Sequence, residues 1–510
     1  MQMTDNSIFD LRKFDKYRED NRLEVKRAKE KLPESLWETY SSFANTNGGC
    51  IILGVKEKED KSWYTTGLKD VSKLKKDFWD TIHNSRKVNI CLLSEKDVQD
   101  YEINGDVILV INVPRARREE KPVYLNNDMW SGTFRRDWEG DYHCTRSSIL
   151  AMLRDQTDDT PDMKVLENKE IKDLDHDSIR SYRIRYNATH QGHPWCDLPE
   201  EEFLLMIGAA SDETEDHRIH PTAAGLLMFG QFHRIIREFP EYLLDYREKM
   251  DPSIRWTDRV VSNSGEWSGN VYDFFTKVSF KLVSDVKKPF KLEGIYRIDD
   301  TPVHVAIREA LANCLVNTDY FLPWNVVVEK YPDKIVLANP GTVRLGKKQM
   351  LRGGISQPRN RLLLNMFNFI GVGERAGSGV PDIYSIWKSE HFDDPIVDEE
   401  IGREGNPDRT TLTLPMVENK RKKQAEKTSG KNKRNKQAEK TSGNGQAAKT
   451  RENKDQIIKF ISKNGSARTG ELVELLGLSE ARVRVLLSEM VDSNQIDPQG
   501  NGRSRRYVLR

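Results

Sequence analysis

The stretch REALANCLVNTDY, residues 308–320, decides how the middle of this chain is interpreted. It is typical of a helix, yet Glu309 and Asn313 stand four residues apart among apolar neighbours. Helical residues four apart share one face, so a carboxylate and an amide are aimed at the same point. A carboxylate can act as a general base, and an amide oxygen is a hard ligand for a hard cation. The spacing therefore predicts a helix face that holds a water and a Mg²⁺ ion.

Glycine-rich turns follow this helix in an order that suits a nucleotide. The tripeptide Asn339-Pro340-Gly341 closes a predicted hairpin, and the run GVGERAGSGV (371–380) precedes a predicted helix. Backbone N–H groups in such a turn can cradle phosphates. Singly, each feature has a plainer interpretation: Glu309 can lie on a helix surface, Asn313 can be a satisfied core amide, and a glycine run is often only a turn.

The totals describe a chain of several domains. It has 510 residues, of which 37% are hydrophobic and 32% charged, with a net charge of +1. Its five cysteines form no CxxC pair, which favours a reducing compartment over a disulfide framework. The charged N-terminus lacks the apolar core of a secretory signal, and no apolar run approaches the roughly 18 residues of a membrane span. We expect a cytoplasmic protein without a membrane partner.

Composition and periodicity divide the chain into five segments and predict an α/β and α+β multidomain fold. The predicted segments are an α/β domain at 1–155, a helical connecting region at 156–235, a mixed domain at 236–416, a linker at 417–453 and a compact unit at 454–510. The linker repeats the octapeptide KQAEKTSG and holds twelve Lys and Arg against four Glu. Such a segment is too polar to order itself, so it is either a solvated tether or a basic arm that touches phosphates.

The last segment has the pattern of a winged helix-turn-helix: three short amphipathic helices, then two strands around a basic tip. The third helix would present Arg482 and Arg484, and the wing would present Arg503, Arg505 and Arg506. A cluster of arginines supplies phosphate contacts, so we expect nucleic-acid binding. A winged helix that binds protein is the alternative.

A second constellation of charged residues lies near the N-terminus. Glu24 and Lys26 alternate in a predicted strand and so face the same way, with Glu19 upstream and Glu57 after the next strand. Carboxylates beside a lysine can bind a divalent metal and steady a phosphate. In a chain so rich in charge, a solvent-facing Glu/Lys edge is the plainer interpretation.

Five arginines of the first segment are candidates for phosphate contacts, with ordinary solubilising charge as the alternative. They are Arg115, Arg117, Arg118, Arg135 and Arg136.

The motifs HPTAAGLLMFG, EALANCLVNTDY, ANPG, ISQPRN and GERAGSGV resemble the GHKL ATPase group, in particular the divergent ATP-binding domain fused behind Schlafen-type domains. The resemblance implies a GHKL-like α/β sandwich that binds ATP, with Glu309 as the water-activating base and Asn313 as the Mg²⁺ ligand. It places Asn339 to Gly341 near the adenine and Gly373, Gly377 and Gly379 near the phosphates. Two positions depart from the family pattern: Asn317 replaces a common His, and Asn339 replaces the usual acid of the adenine box.

The motifs LEVKRA, FANTNGGCIILGV and GTFRRDWEGDYHCTR resemble the AlbA-like domain of Schlafen proteins. That family binds DNA or RNA, and some members cleave tRNA or rRNA with three acidic residues and Mg²⁺ or Mn²⁺. The matching positions are Glu19, Glu24 and Glu57, where the third is typically Asp.

Three functions are consistent with these features. The first is an ATP-binding transcriptional regulator that binds nucleic acid and responds to nucleotide. The second is a metal-dependent endoribonuclease of Schlafen type, active in defence against phage. The third is a scaffold with vestigial sites. A homo-oligomer would suit paired half-sites, although no heptad pattern indicates one.

Overall fold

The computed structural model describes most of the chain. The described residues are 14, 22–286, 292–293, 296–297, 301–373, 379–401, 408–417, 453–478, 480–492, 495–500 and 505–509. The chain divides into two compact units, Met1–Glu418 and Asn419–Arg510. Within the first unit we distinguish an N-terminal domain (residues 22–156) and a central domain (residues 157–417).

The N-terminal domain is built on a four-stranded mixed sheet with the order β1-β2-β6-β5 and on two small hairpins, β3–β4 and β7–β8. Its strands are β1 (Leu23–Lys26), β2 (Gly49–Leu53), β3 (Val55–Glu57), β4 (Trp63–Thr65), β5 (Val98–Ile103), β6 (Asp106–Val113), β7 (Phe134–Asp137) and β8 (Gly140–His143). Its helices are α1 (Ser35–Asn45), α2 (Val71–Ile82) and α3 (Arg146–Gln156).

Strand β2, with the sequence GCIIL, is the centre of this domain and is buried along its whole length. It pairs in parallel with β1 and antiparallel with β6. Since successive side chains point to opposite faces, Ile51 and Leu53 join the core under α1 and α2, whereas Cys50 and Ile52 join a second core on the other face. A continuous apolar run is typical of a strand covered on both faces.

The central domain contains a six-stranded sheet with the order β12-β11-β15-β16-β18-β17, in which only the β11–β15 pair is parallel among the described pairings. Its strands are β9 (Ala210–Ser211), β10 (His220–Pro221), β11 (Leu244–Glu248), β12 (Asp258–Val261), β13 (Leu292–Glu293), β14 (Tyr296–Arg297), β15 (Val326–Lys330), β16 (Lys334–Pro340), β17 (Ile396–Glu400) and β18 (Arg409–Pro415). Its helices are α4 (His176–Thr189), α5 (Glu200–Met206), α6 (Ala223–Phe229), α7 (Phe232–Glu238), α8 (Val271–Val283), α9 (Pro302–Val316), α10 (Lys347–Arg352), α11 (Arg361–Phe369) and α12 (Gly379–Ser389).

A single hydrophobic core runs through the central domain and includes the segment predicted as a helical connector. Tyr182 of α4, Phe203 of α5 and Phe229 of α6 belong to the same cluster as Ile307 of α9 and Leu337 of β16. The helices of residues 157–235 therefore share their core with the six-stranded sheet. Short 3₁₀ turns also occur among the described residues of the first unit, at Glu95–Asp97, Arg118–Glu120, Pro161–Met163, Ile171–Asp173 and Pro194–Asp197.

The second unit has three helices followed by an antiparallel hairpin. The elements are α13 (453–464), α14 (Thr469–Leu476), α15 (Glu480–Asp492), β19 (Ile496–Gln499) and β20 (Arg506–Leu509). Helix α14 ends at Gly477 in the left-handed conformation, with φ at 61°, which is a common glycine-favoured helix stop. Ile457, Leu472, Leu486 and Tyr507 belong to its small separate core.

Candidate nucleotide site

Helix α9 begins at Pro302, after an N-terminal cap at Thr301. The side chain of Thr301 accepts a hydrogen bond from the backbone of His304, and Pro302 occupies the first turn. Most of the helix is buried, but Glu309, Asn313 and Asn317 are each partly exposed. Since these three residues lie one turn apart from each other, they form a single stripe, which we call the polar face of α9.

Hydrogen bonds order the polar face of α9. The amide nitrogen of Asn313 donates to Glu309 Oε1 at 3.1 Å, and the amide nitrogen of Asn317 donates to the Asn313 carbonyl at 3.0 Å. Asn313 thus uses its nitrogen within the helix face, which leaves its side-chain oxygen as the group that can bind a cation. The structure brings together the carboxylate and the amide that the spacing predicted.

The first residue of helix α12, Gly379, lies against this face. A Cβ atom at Gly379 would stand 2.5 Å from Glu309 Oε1 and 3.2 Å from the Asn313 side-chain nitrogen, so only glycine fits without displacing them. Helix α12 points its N-terminus at the same place. Unpaired N–H groups and the helix dipole make such an end favourable for anions.

The end of strand β16 supplies the opposite side of the site. Asn339 is almost fully buried, and its amide nitrogen donates to the carbonyls of Asn317 at 3.3 Å and Pro340 at 3.2 Å. Gly341 follows with φ at 98°, and a Cβ there would collide with the Arg359 guanidinium at 1.9 Å. Position 341 therefore requires glycine because of Arg359.

A cavity of about 170 Å³ lies between α9, β16, β18 and α12; we call it the nucleotide cavity. Four predicted residues line it: Glu309, Asn313, Asn339 and Gly379. Its remaining wall includes apolar side chains such as Leu337, Ile383, Val397 and Leu412, together with polar groups of Thr342, Ser356, Gln357, Tyr384 and Thr410. A mostly apolar hollow with a few convergent polar groups is typical of a small-molecule site.

Several lining residues were not predicted as site residues. Tyr384 and Thr410 lie about 45 and 70 residues after Asn339 and reach the cavity only through the packing of α12 and β18. Burial raises the pKa of Tyr384, so its hydroxyl remains a donor at neutral pH. Burial also raises the pKa of Cys314 to about 12, so its thiol is not a nucleophile. No local pattern in the sequence marks these positions.

Three other glycines predicted to lie near the nucleotide are not among the described residues that line the nucleotide cavity. Gly341 lines a smaller, neighbouring cavity instead of the nucleotide cavity. Gly373, with φ at 92°, packs near Asn368 and lines neither cavity. Gly377 lies outside the described residues.

The candidate nuclease carboxylates show a different arrangement. Glu24 of β1 accepts from Arg136 Nη2 at 2.7 Å and from Lys26 Nζ at 2.9 Å, so both of its oxygens are engaged by cations. Glu57 lies on β3, and its Oε1 is buried without a hydrogen-bond partner. Glu19 lies outside the described residues. Within the described part of the chain, no group of three or more His, Cys, Asp or Glu side chains could hold a metal ion.

Two of the five arginines predicted to contact phosphates in the first segment, Arg135 and Arg136, lie in the interior instead. Arg135 and Arg136 are 5% and 2% exposed. Arg135 pairs with Asp408 of the central domain, and Arg136 pairs with Glu24 and with Asp141 at 3.0 Å. Interior guanidinium groups held by carboxylates are not available to an external phosphate, because removing them would leave buried charges unpaired.

The remaining three arginines of this set lie nearer the surface. Arg115 Nη1 donates to Glu399 Oε2 of β17 at 2.9 Å, which joins the two domains. Arg118 pairs with Asp158 at 2.6 Å and donates to backbone carbonyls after α3. Arg117 has a side chain that is 79% exposed and pairs only with nearby Glu120 among the described contacts. Of these residues, Arg117 is the most accessible to a phosphate.

In the second unit, Arg505 and Arg506 are exposed at the start of β20. Arg506 donates to Ser466 Oγ at 3.3 Å. Arg503 and the side chains of Arg482 and Arg484 lie outside the described part of the structure.

Comparisons with known families match three parts of the chain. Residues 19–145 match the family described as "Schlafen, AlbA_2", residues 324–403 match "Putative ATP-dependent DNA helicase recG C-terminal", and residues 150–245 match a domain of unknown function, DUF8451. The chain therefore carries a Schlafen AlbA_2 domain and a RecG-like C-terminal domain of the HATPase type. The latter match covers β15, β16, α10, α11, α12 and β17, and hence much of the lining of the nucleotide cavity. No curated protein matches the chain.

Two solved structures are similar over different lengths. The DIP2311 protein from Corynebacterium diphtheriae aligns over 96% of this chain and 95% of its own, with 16% identity and a TM-score of 0.38. The N-terminal domain of a "Putative ATP-dependent DNA Helicase RecG-related Protein" from Nitrosomonas europaea aligns over 26% of this chain and 90% of its own, with 26% identity and a TM-score of 0.21. Among the described residues, no helix has both the length and the apolar character to cross a bilayer.

Proposed function

We propose that this chain is a nucleotide-regulated nucleic-acid-binding protein, an ATP-binding transcriptional regulator whose central domain has the GHKL-like sandwich fold. The observation that supports ATP binding most strongly is the polar face of α9 opposite Gly379. There a carboxylate, an amide and a helix N-terminus converge on one hollow. That donor set is hard and oxygen-rich, which is what Mg²⁺ and phosphate require.

The residues present fit Mg²⁺ and ATP. The glycine at 379 leaves a space that a Cβ would fill, and it borders the atoms that would bind the metal. Asn313 would hold Mg²⁺ through its side-chain oxygen, and Glu309 would orient a water and accept its proton. When bound, ATP supplies a γ-phosphoryl group that such a water can attack. Asn339 would lie at the adenine end, where its amide replaces the usual acid.

Nucleic-acid binding is assigned to both ends of the chain. The AlbA_2 match at residues 19–145 supports it for the N-terminal domain. For the second unit we propose a winged helix, supported by three helices followed by a hairpin with exposed Arg505 and Arg506. DNA and RNA are both candidate partners.

A direct connection between the nucleotide cavity and the N-terminal domain supports regulation. Glu399 accepts the backbone N–H of Val343, which lines the cavity, at 2.8 Å, and its other oxygen accepts from Arg115 at 2.9 Å. A ligand that moves the loop after β16 would therefore act on an interdomain ion pair. Regulation through this contact requires that ATP favour one arrangement of the loop.

The test measures ATP affinity by calorimetry with Mg²⁺ for the full chain and for Asn313→Ala. We expect binding in the wild type and at least a tenfold loss in Asn313→Ala, because the metal loses a ligand. Asn464→Ala, which removes an asparagine from helix α13, is the matched control and should bind as the wild type does. Equal affinity in all three proteins, or no binding in any, would refute the nucleotide site.

A metal-dependent endoribonuclease is the second candidate, and the unpaired buried oxygen of Glu57 supports it. Buried carboxylate oxygens normally have partners, so a missing one is consistent with a ligand. Against it, both oxygens of Glu24 are already neutralised by cations. The test incubates tRNA with Mn²⁺ or Mg²⁺ and compares the wild type with Glu57→Gln and Glu24→Ala. Metal-dependent cleavage lost in both variants would favour the nuclease, and no cleavage by the wild type would exclude it.

A further inference from the structure

A second, smaller cavity lies between the N-terminal domain and the central domain. It has a volume of about 40 Å³, enough for a few water-sized groups, and we call it the interdomain cavity. Five cationic side chains from both domains line it: Arg115, Arg118, Lys121, Arg344 and Arg359. Three carboxylates also line it: Asp155, Asp319 and Asp408. Positive charge therefore exceeds negative charge around this hollow.

Three of the five cations are fully engaged by carboxylates. Arg115 pairs with Glu399, Arg118 pairs with Asp158, and Arg359 binds both oxygens of Asp155 at 3.0 and 2.7 Å. These pairs join the two domains and leave no surplus charge on their own arginines.

Lys121 is different because no carboxylate pairs with it among the described residues. Its ammonium group is enclosed and donates to the backbone carbonyl of Asn45 at 2.6 Å. An ammonium has three N–H donors, so two remain for another partner. Burial, assisted by the charge of Arg115, lowers the pKa of Lys121 to about 7.

Arg344 also has a spare donor at the cavity. Its Nη groups donate to the carbonyls of Pro358, Asp155 and Thr157. Its Nε is buried without a hydrogen-bond partner, and the nearest carboxylate oxygen, on Asp155, is 3.6 Å away. Buried donors are nearly always satisfied in folded proteins, so two under-satisfied cations around one hollow indicate a missing acceptor.

We propose that the interdomain cavity binds a small tetrahedral oxyanion, a phosphate group, between Lys121 and Arg344. The anion supplies the negative charge that the enclosed ammonium lacks and accepts the N–H groups for which the described residues provide no acceptor. Charge-assisted hydrogen bonds of this kind are among the strongest in proteins. The phosphate can be free phosphate or a phosphodiester of a nucleic-acid backbone, since the two present the same oxygens.

This site is separate from the nucleotide cavity but shares a wall with it. Thr342, Val343 and Arg344 line both cavities. An oxyanion held by Arg344 would therefore fix one side of the loop that ATP is proposed to contact. Anion binding in the interdomain cavity does not require ATP binding in the nucleotide cavity, so each can be present without the other.

The test uses sulfate as the probe, because sulfate does not titrate near neutral pH. Thermal unfolding of the full chain is measured in sodium sulfate and in sodium chloride at equal ionic strength. Sulfate stabilises proteins in general, so the informative quantity is the difference between variants. We expect the sulfate-specific rise in Tm to be lost in Lys121→Met and retained in Lys121→Arg. Lys58→Met removes an exposed lysine on the β3–β4 hairpin and should respond as the wild type does.

The pH dependence gives a second readout. The charged groups that face Lys121 are Arg115, Arg135, Asp408 and Glu399, and the pKa of Lys121 among them is about 7. Sulfate should therefore bind about tenfold more tightly at pH 6 than at pH 8.5 in the wild type, and equally at both in Lys121→Met. A sulfate response that is identical in the wild type and Lys121→Met at both pH values would overturn the proposal.

A separate arm distinguishes the two sources of phosphate. A ten-nucleotide single strand is titrated into the wild type and Lys121→Met with and without sulfate. If the group belongs to nucleic acid, Lys121→Met binds the strand several-fold more weakly and sulfate competes. If it is free phosphate, strand affinity is unchanged by the variant, while inorganic phosphate still binds the wild type alone.

Discussion

The polar face of α9 and the arginines of strand β7 are both clusters of charged or polar side chains, yet only the first faces a hollow. Glu309 and Asn313 of α9, and Asn317 at its C-terminal cap, sit at partly exposed positions, although most of the helix is buried. Arg135 and Arg136 are adjacent in sequence and are both interior. One set faces a cavity, whereas the guanidinium groups of the other set pair with carboxylates of the protein.

The two clusters differ in the sequence separation between each side chain and its hydrogen-bond or ion-pair partner. On α9, helical geometry alone places the residues on one stripe, and their hydrogen bonds span four residues. Arg135 finds its carboxylate 273 residues later, at Asp408, and Arg115 finds Glu399 284 residues later. A local pattern can predict a shared face, but it cannot tell a free cation from one whose counter-ion comes from another domain.

Replacing Arg136 by Met should give the largest effect and most directly tests this contrast. The change leaves Glu24 and Asp141 without their shared cation and loses the stacking of the guanidinium over Phe43 at 5.1 Å. Breaking a buried ion pair by removing one partner costs about 3–5 kcal/mol. Urea unfolding of the full chain should show a loss of that order.

Arg117→Met is the matched control, because its side chain is 79% exposed and paired only locally. Exposed ion pairs contribute about 0–1 kcal/mol, so the variant should unfold almost as the wild type does. If Arg136→Met keeps full stability and instead loses affinity for nucleic acid, Arg136 contacts a ligand. The distinction between the polar face of α9 and the arginines of β7 would then be wrong.

Lys121→Met, unlike Arg136→Met, should raise the free energy of unfolding, by an amount that depends on pH. The folded pKa of Lys121 is about 7, below the value of about 10.4 in an unfolded chain. Between these values the unfolded state binds more protons, so stability rises with pH, and the full cost of charging Lys121 is present below pH 7. Without an added anion, the variant should be more stable than the wild type by on the order of 3 kcal/mol at pH 6.

This gain should shrink across pH 7 to 10 and vanish above it, as urea titrations at pH 6, 8 and 10 would show. A variant that is less stable than the wild type at pH 6 would mean that the ammonium is already compensated within the protein. In that case Lys121 would resemble Arg135 and not an unfilled site.

Gly379→Ala tests the ligand-facing region with a smaller effect. The added Cβ would press on Glu309 Oε1, the far end of a side chain that can move aside, so the fold should survive. The displaced carboxylate would then narrow the hollow where the phosphates are proposed to bind. We expect ATP affinity to fall about tenfold, or roughly 1.4 kcal/mol, in calorimetric titrations.

Gly470→Ala is the matched control, since a Cβ there meets open space within helix α14. It should leave ATP affinity unchanged and stabilise the second unit slightly, because alanine favours helices over glycine by about 1 kcal/mol. Unchanged ATP affinity in Gly379→Ala would show that Gly379 does not border the ATP site.

These contrasts also explain how much of the molecule the sequence can predict. The GCIIL strand, the hairpin that joins β15 and β16 and the helices of the second unit follow from local periodicity of apolar residues. The polar face of α9 follows from the same short-range geometry, whereas the need for glycine at position 379 depends on the packing of α12 against α9. Long-range packing decides the rest.

Two examples show what long-range packing adds. Tyr384 and Thr410 enter the nucleotide cavity because α12 and β18 pack beside α9 and β16, which no spacing in the chain records. Gly341 was predicted beside the adenine, but it lines the interdomain cavity because the guanidinium of Arg359 fills the space above it. In both cases a residue's role depends on a partner that is remote in sequence.

The smallest effect we predict concerns the Arg115–Glu399 ion pair, which links the nucleotide cavity to the N-terminal domain. Glu399 is nearly buried and also accepts the N–H of Val343 at the nucleotide cavity, whereas Arg115 is 21% exposed. A double-mutant cycle with Arg115→Ala and Glu399→Ala should give a coupling energy of about 1 kcal/mol in unfolding experiments. The coupling energy should change when it is measured with ATP present, if the nucleotide moves Val343. The reason is that an effect of ATP binding on the ion pair implies an equal effect of the ion pair on ATP binding. The same coupling with and without ATP would show that this ion pair only joins the domains and transmits nothing between them.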